Sequence, residues 1–75
     1  MNWKDYITAD PAILVGKPVI KGTRLSVEFI LDLIAQGWPE DEILRNYSLQ
    51  RDQVRACAAY AHARLSEEKV FSVAA

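Results

Sequence analysis

Ile43-Leu-Arg-Asn-Tyr-Ser-Leu-Gln-Arg-Asp-Gln-Val54 decides the fold of this 75-residue chain. Apolar residues follow Ile43 at +4, +6 and +11, namely Tyr47, Leu49 and Val54. That spacing sets two short amphipathic segments across a tight turn, with their apolar sides meeting in one small core. It is the spacing of a helix-turn-helix, whose second helix projects outward where it can read a DNA groove. The same spacing also builds small three-helix domains that never touch nucleic acid. Two positions depart from the commonest form of the motif. Leu44 stands where a small residue usually lets the helices approach, and Ser48 where glycine usually supplies a positive φ, so a wider turn is expected.

Upstream of this stretch, Ser26 reads as an N-cap. Val27, Ile30, Leu31 and Ile34 then recur at helical spacing, with Phe29 and Leu33 broadening the stripe. Gly37 is the stop signal for that helix. Pro39 is expected at the first position of the next helix, and Glu40, Asp41 and Glu42 complement its positive end. A third and longest helix is predicted from about Arg51 to about Glu68. Its residues 56–63, Ala-Cys-Ala-Ala-Tyr-Ala-His-Ala, are apolar nearly all round. A helix of that kind buries more than one face, and a chain this small has one core to offer, so the second face points to a homodimer.

Residues 7–26 hold the early punctuation: Asp10-Pro11, Gly16-Lys17-Pro18 and Lys21-Gly22-Thr23. The runs Ile13-Leu14-Val15 and Val19-Ile20 between them are expected to be short strands or extended segments, with a turn at Lys21–Arg24. Pro18 lacks an amide donor and belongs on an edge. The fold class is therefore mainly α: one domain over residues 1–75, with an N-terminal hairpin or extended arm (1–26), a three-helix bundle (27–68) and a C-terminal tail (69–75).

Composition narrows the function classes. A single cysteine and a single histidine leave no disulfide or metal framework, and the lone Cys57 suits a reducing compartment. Nothing approaches a membrane span or a signal core, so a cytoplasmic protein with no membrane partner is expected. Gly16-Lys17-Pro18 lacks the flanking residues of a phosphate loop. Cys57 and His62 are five apart on a helix and face different ways, which rules out a nucleophile–base pair within one chain. The acids Glu40, Asp41 and Glu42 read as a solvated helix start. No catalytic residue, metal ligand, cofactor or small-molecule substrate is expected, and the chain is read as a non-enzyme.

Net charge is −1, unevenly spread. Residues 1–26 carry four Lys/Arg against two acids, residues 27–47 one Arg against five acids, and residues 48–75 four Lys/Arg against three acids. Any phosphate contact should then come from the ends of the chain. In a helix-turn-helix, the start of the second helix reaches base edges. Here that start is Arg51, Asp52 and Gln53, with Arg55 one turn on, and these residue types suit direct readout. Against this stands a solvated helix start in which Arg51 and Arg55 only solubilise. Lys17, Lys21 and Arg24 form a second basic group that either touches phosphate or serves the turn, with Arg24 paired to Glu28 or Asp10.

The segments Ile7-Thr-Ala-Asp-Pro11, Gly16-Lys-Pro-Val-Ile-Lys-Gly-Thr-Arg24, Glu42-Ile-Leu44 and Ala59-Tyr-Ala61, with Val27, Ile30, Gly37, Tyr47, Leu49 and Val54-Arg55 between them, resemble the domain-of-unknown-function 433 family. The Gly-Lys-Pro-Val-Ile-Lys-Gly-Thr-Arg run is the specific part. The resemblance implies a homeodomain-like or winged-helix-like tri-helical fold. It also implies a VapB-like bacterial antitoxin that neutralises a PIN-like ribonuclease encoded beside it, with repression of the shared promoter as a second role. The family often has glycine where Val15 stands, and Ser or Thr where Gln50 stands. For a toxin partner, the candidate contacts are Val70, Phe71 and Val73 in the tail, with Arg64 and Lys69 as cations for an acidic nuclease pocket; the alternative for the three tail residues, and the favoured one, is packing on their own dimer. The alternative function is a stand-alone helix-turn-helix transcriptional regulator. A dimerisation module without nucleic-acid contact is the third reading.

Overall fold

A computed structural model describes residues 1–67. A 3₁₀ turn at Trp3–Asp5 leads into β1 (Ile7–Ala9), and a second turn at Leu14–Gly16 leads into β2 (Pro18–Ile20). Helices α1 (Val27–Ala35), α2 (Glu40–Tyr47) and α3 (Arg51–Leu65) follow. The strands pair antiparallel, Ile7 opposite Ile20 and Ala9 opposite Pro18, and Val19 bridges to Ser26 on the other side. The architecture is a small three-helix bundle with a two-stranded antiparallel hairpin at its amino-terminal end.

Each helix boundary has a local cause. Ser26 Oγ accepts the Phe29 amide at 2.9 Å and starts α1. Gly37, at φ 89°, ends α1 in a Schellman arrangement: its own N–H donates to Ile34 O, and the Trp38 N–H donates back to Leu33 O. Ser48 takes the left-handed conformation (φ 53°) at the end of α2, while the Leu49 N–H donates to Leu44 O. The serine thus does what glycine does in the commoner motif. Leu44, half-buried, packs against the core at this turn. Ile43, Leu49 and Val54 are buried and Tyr47 packs beside them, as the spacing predicts.

Several expectations are corrected. Pro39 precedes the helix in an extended conformation, and α2 begins at Glu40. Helix α3 stops at Leu65, short of Glu68, with Ser66 as its cap. The buried stripe of α1 is Val27, Ile30 and Leu33, whereas Ile34 is exposed, because the covering elements lie on the Leu33 side of the helix. The amino-terminal strand is Ile7–Ala9 and not Ile13–Val15. Residues 1–26 form the hairpin, one of the two arrangements expected, and Ile7, Val19 and Ile20 bury it in the core shared with the helices. On α3, Trp3 covers part of the apolar surface, its ring meeting Tyr60 edge-on at 5.0 Å. The second face inferred for α3 is therefore partly covered by the chain itself. Ala58 and Leu65 stay open on its outer side, Leu65 at 62% exposure.

Leu14, Val15 and Gly16 all have positive φ, at 49°, 57° and 80°. A left-handed β-branched residue is a steric outlier, yet the Val15 side chain is 96% exposed and gains no packing. Val15→Gly is expected to raise stability by about 1 kcal/mol and Tm by about 4–8 °C in thermal unfolding. A lowered Tm would mean that the left-handed turn is absent.

Candidate interaction surfaces

The turn between β2 and α1 carries the first basic group, and its parts divide the labour. Gly22, at φ 79°, occupies the turn position that requires a positive φ. Thr23 Oγ1 donates to Ile20 O at 2.8 Å and accepts the Leu25 N–H at 3.0 Å, clasping the turn from inside. Neither Glu28 nor Asp10 pairs with Arg24. Glu28 instead meets Lys17 at 3.6 Å, and Asp10 Oδ1 accepts the Ala12 amide at 2.9 Å. Lys21 and Arg24 are exposed and make no hydrogen bond or ion pair through their side chains among the described residues.

The helix-turn-helix end presents the second group. Arg51 sits on the first turn of α3, facing the first turn of α2, and its guanidinium donates to Glu40 Oε2 at 3.2 Å and Asp41 Oδ1 at 3.3 Å. The other Glu40 oxygen is shielded from water without a partner, so the arginine compensates a partly desolvated carboxylate. Arg51 remains half exposed, which limits the stabilising worth of the pair to about 1 kcal/mol or less. Gln53 Oε1 accepts the Gln50 backbone N–H at 2.7 Å, a reciprocal cap that occupies the side chain expected to read adenine. Asp52 and Arg55 are exposed. Arg55 shares one surface hollow with Asp5 and Asp52 and another with Glu40. The cations at this end are therefore tied up or interleaved with carboxylates, a balance the sequence alone does not display because Glu40 and Arg51 are 11 positions apart.

Among the described residues no side-chain hydrogen bond or ion pair joins Lys17, Lys21 or Arg24 to residues 51–55. Arg64, on the last turn of α3, is exposed and pairs with Glu67 at 3.7 Å. Lys69, Val70, Phe71 and Val73 lie outside the described residues. Sequence reasoning missed Trp3 and Tyr6, which pack against the core from before the hairpin. Their aromatic character beside a short apolar strand was the available signal. Among the described residues no group of three or more metal-ligand side chains gathers, and no helix is long and apolar enough to cross a membrane.

These features define a small helix-turn-helix module with a hairpin flank. The chain belongs to the family described as protein of unknown function (DUF433), which matches residues 7–61. It is similar to an uncharacterised protein, y4eO, of Sinorhizobium fredii (strain NBRC 101917 / NGR234), at 33% identity over 61 residues. That match covers 80% of this chain and 28% of the relative, so the chain spans little more than a quarter of the relative's length. No solved structure matches.

Proposed function

We propose that this chain acts by binding, not by catalysis, as the antitoxin of a type II toxin–antitoxin pair that holds and neutralises a PIN-like ribonuclease in the cytoplasm. The observation that carries this reading is the state of the helix-turn-helix end. Arg51 is taken by Glu40 and Asp41, and Gln53 by its own cap, while large apolar side chains including Phe29, Ile34 and Leu65 are left in water. Such a surface favours protein contact over phosphate contact. The family resemblance supplies the kind of partner. Ala58 and Leu65 on the outer side of α3 would serve a homodimer, which buries what one chain leaves open.

Co-expression with the nuclease encoded beside it tests the reading. The two chains should co-purify, and the complex should show little of the ribonuclease activity of the free nuclease. A nuclease that purifies alone and stays fully active in the presence of this chain would sink the proposal. Repression of the shared promoter is the second reading, favoured by Arg55, which is exposed on α3 and makes no ion pair among the described residues. It predicts operator binding that falls steeply with salt and is lost in Arg51→Ala/Arg55→Ala. Unchanged operator binding by that variant would remove α3 from the readout.

A further inference from the structure

We infer that Arg24 and the apolar dish beside it receive a carboxylate-bearing apolar segment of the protein partner; this rests on the partner-binding reading above and names its contact surface. Leu14, Leu25 and Phe29, with Arg24 and Ser26, line a shallow pocket of about 310 Å³. The floor is preformed. Leu25 packs partly against the core, and the Phe29 ring, 37% exposed, is braced edge-on against Tyr47 at 5.4 Å.

Arg24 is the one residue of the Lys21–Arg24 turn that lines this pocket, and its side chain makes no hydrogen bond or ion pair among the described residues. Gly22 and Thr23 form the turn, and Lys17, the neighbouring cation on the hairpin, is neutralised by Glu28. A guanidinium without a partner among the described residues, at the edge of an apolar surface, matches an Asp or Glu side chain through paired N–H donors. The three apolar residues match a Leu, Ile or Phe within about one helical turn of that acid. Phosphate satisfies the cation but leaves the floor unfilled, so the chemistry favours an acidic apolar peptide over nucleic acid. The adjoining strain points the same way. Leu14 lies in the pocket wall at φ 49°, and Val15 is held at φ 57° almost wholly in water, a conformation with no gain inside the chain. Leu14 lines the dish and Val15 follows it in the chain, so a segment bound there would lie beside both.

The test uses the full chain, isotopically labelled, titrated with an amphipathic peptide of leucine and glutamate, its leucine and lysine counterpart, and a short DNA duplex. The leucine–glutamate peptide should shift the resonances of Leu14, Val15, Arg24, Leu25 and Phe29. Arg24→Glu and Phe29→Ser should each weaken it about tenfold or more, and exposed Asn46→Ala should leave it unchanged. Arg24→Glu removes no side-chain hydrogen bond or ion pair among the described residues, so its Tm should stay near that of the parent and its binding loss is read without unfolding. Equal binding of the lysine peptide, shifts confined to α3, tighter binding of DNA at Arg24, or unaltered binding by Arg24→Glu would each overturn the assignment. Co-purification with the nuclease separates the two levels. A complex indifferent to Arg24→Glu and Phe29→Ser leaves the antitoxin reading standing and removes the dish. Peptide binding at the dish with no nuclease complex does the reverse.

Discussion

Ile30→Ala should remove most of the stability of this domain, costing about 2–5 kcal/mol. Ile30 has no exposed surface, lies in the middle of α1, and packs in a core that draws on β1, β2 and all three helices. Truncation there loses the transfer energy of the deleted carbons and leaves a void that surrounding elements can close only in part. A domain of this length rarely holds more than about 3–5 kcal/mol in reserve, so the loss is comparable to the whole. Denaturant unfolding should show the midpoint collapse, with Tm lowered by ~10 °C or more. Ile34→Ala is the matched control. It truncates the same side chain four residues along the same helix, but at a position 43% exposed, and should cost under about 1 kcal/mol. Equal losses in the two variants would show that α1 presents a different face to the core.

Cys57 should behave as an inert thiol in the folded protein, and its protection should fail together with the fold. Its side chain has no exposed surface, and burial among apolar groups pushes its pKa from 9.0 up to about 11. The thiolate is the reactive form, so at pH 8 ionisation alone should slow modification by a disulfide reagent about a hundredfold relative to the unfolded chain. Steric cover adds to this. The sign of the pH dependence follows from the same shift. Below pH 9 both states hold the proton and the thiol contributes no slope. Between pH 9 and about 11 the unfolded chain gives up its proton while the folded chain keeps it, so stability falls with rising pH, by roughly 2–3 kcal/mol in all. Cys57→Ala should abolish that part of the alkaline slope while leaving the slope below pH 9 as it was. Rapid labelling of the native protein at pH 8 would place Cys57 at the surface and remove the basis of both expectations.

Both positions sit in segments whose helical character was legible. The boundaries were legible too where the signal was chemical and short-ranged: Ser26 caps α1 and Gly37 stops it, whereas Ser48, read as a departure that widens the turn, takes the left-handed conformation itself. Periodicity marked α1 as amphipathic but misjudged Ile34. The apolar stripe is broader than the buried face, and only the position of the covering elements selects which edge of it is used. The candidate contact residues were less legible still. Arg51, Gln53 and Arg55 have the residue types of base readers, and nothing in their own stretch reveals that Glu40 and Asp41 fold back beside them.

Local rules act over about four residues, and within that range the chain alone determined three helices, the cap and stop of α1, and the place of the turn between α2 and α3. Tertiary structure decided the rest. It chose Ile7–Ala9 as the strand opposite Pro18–Ile20, laid Trp3 on Tyr60, put Val15 into a left-handed turn, and paired Arg51 with Glu40 and Asp41. Those outcomes depend on which distant groups meet when the loops close. Residue type and spacing carry no distance between Ile7 and Ile20 until the core has drawn them together.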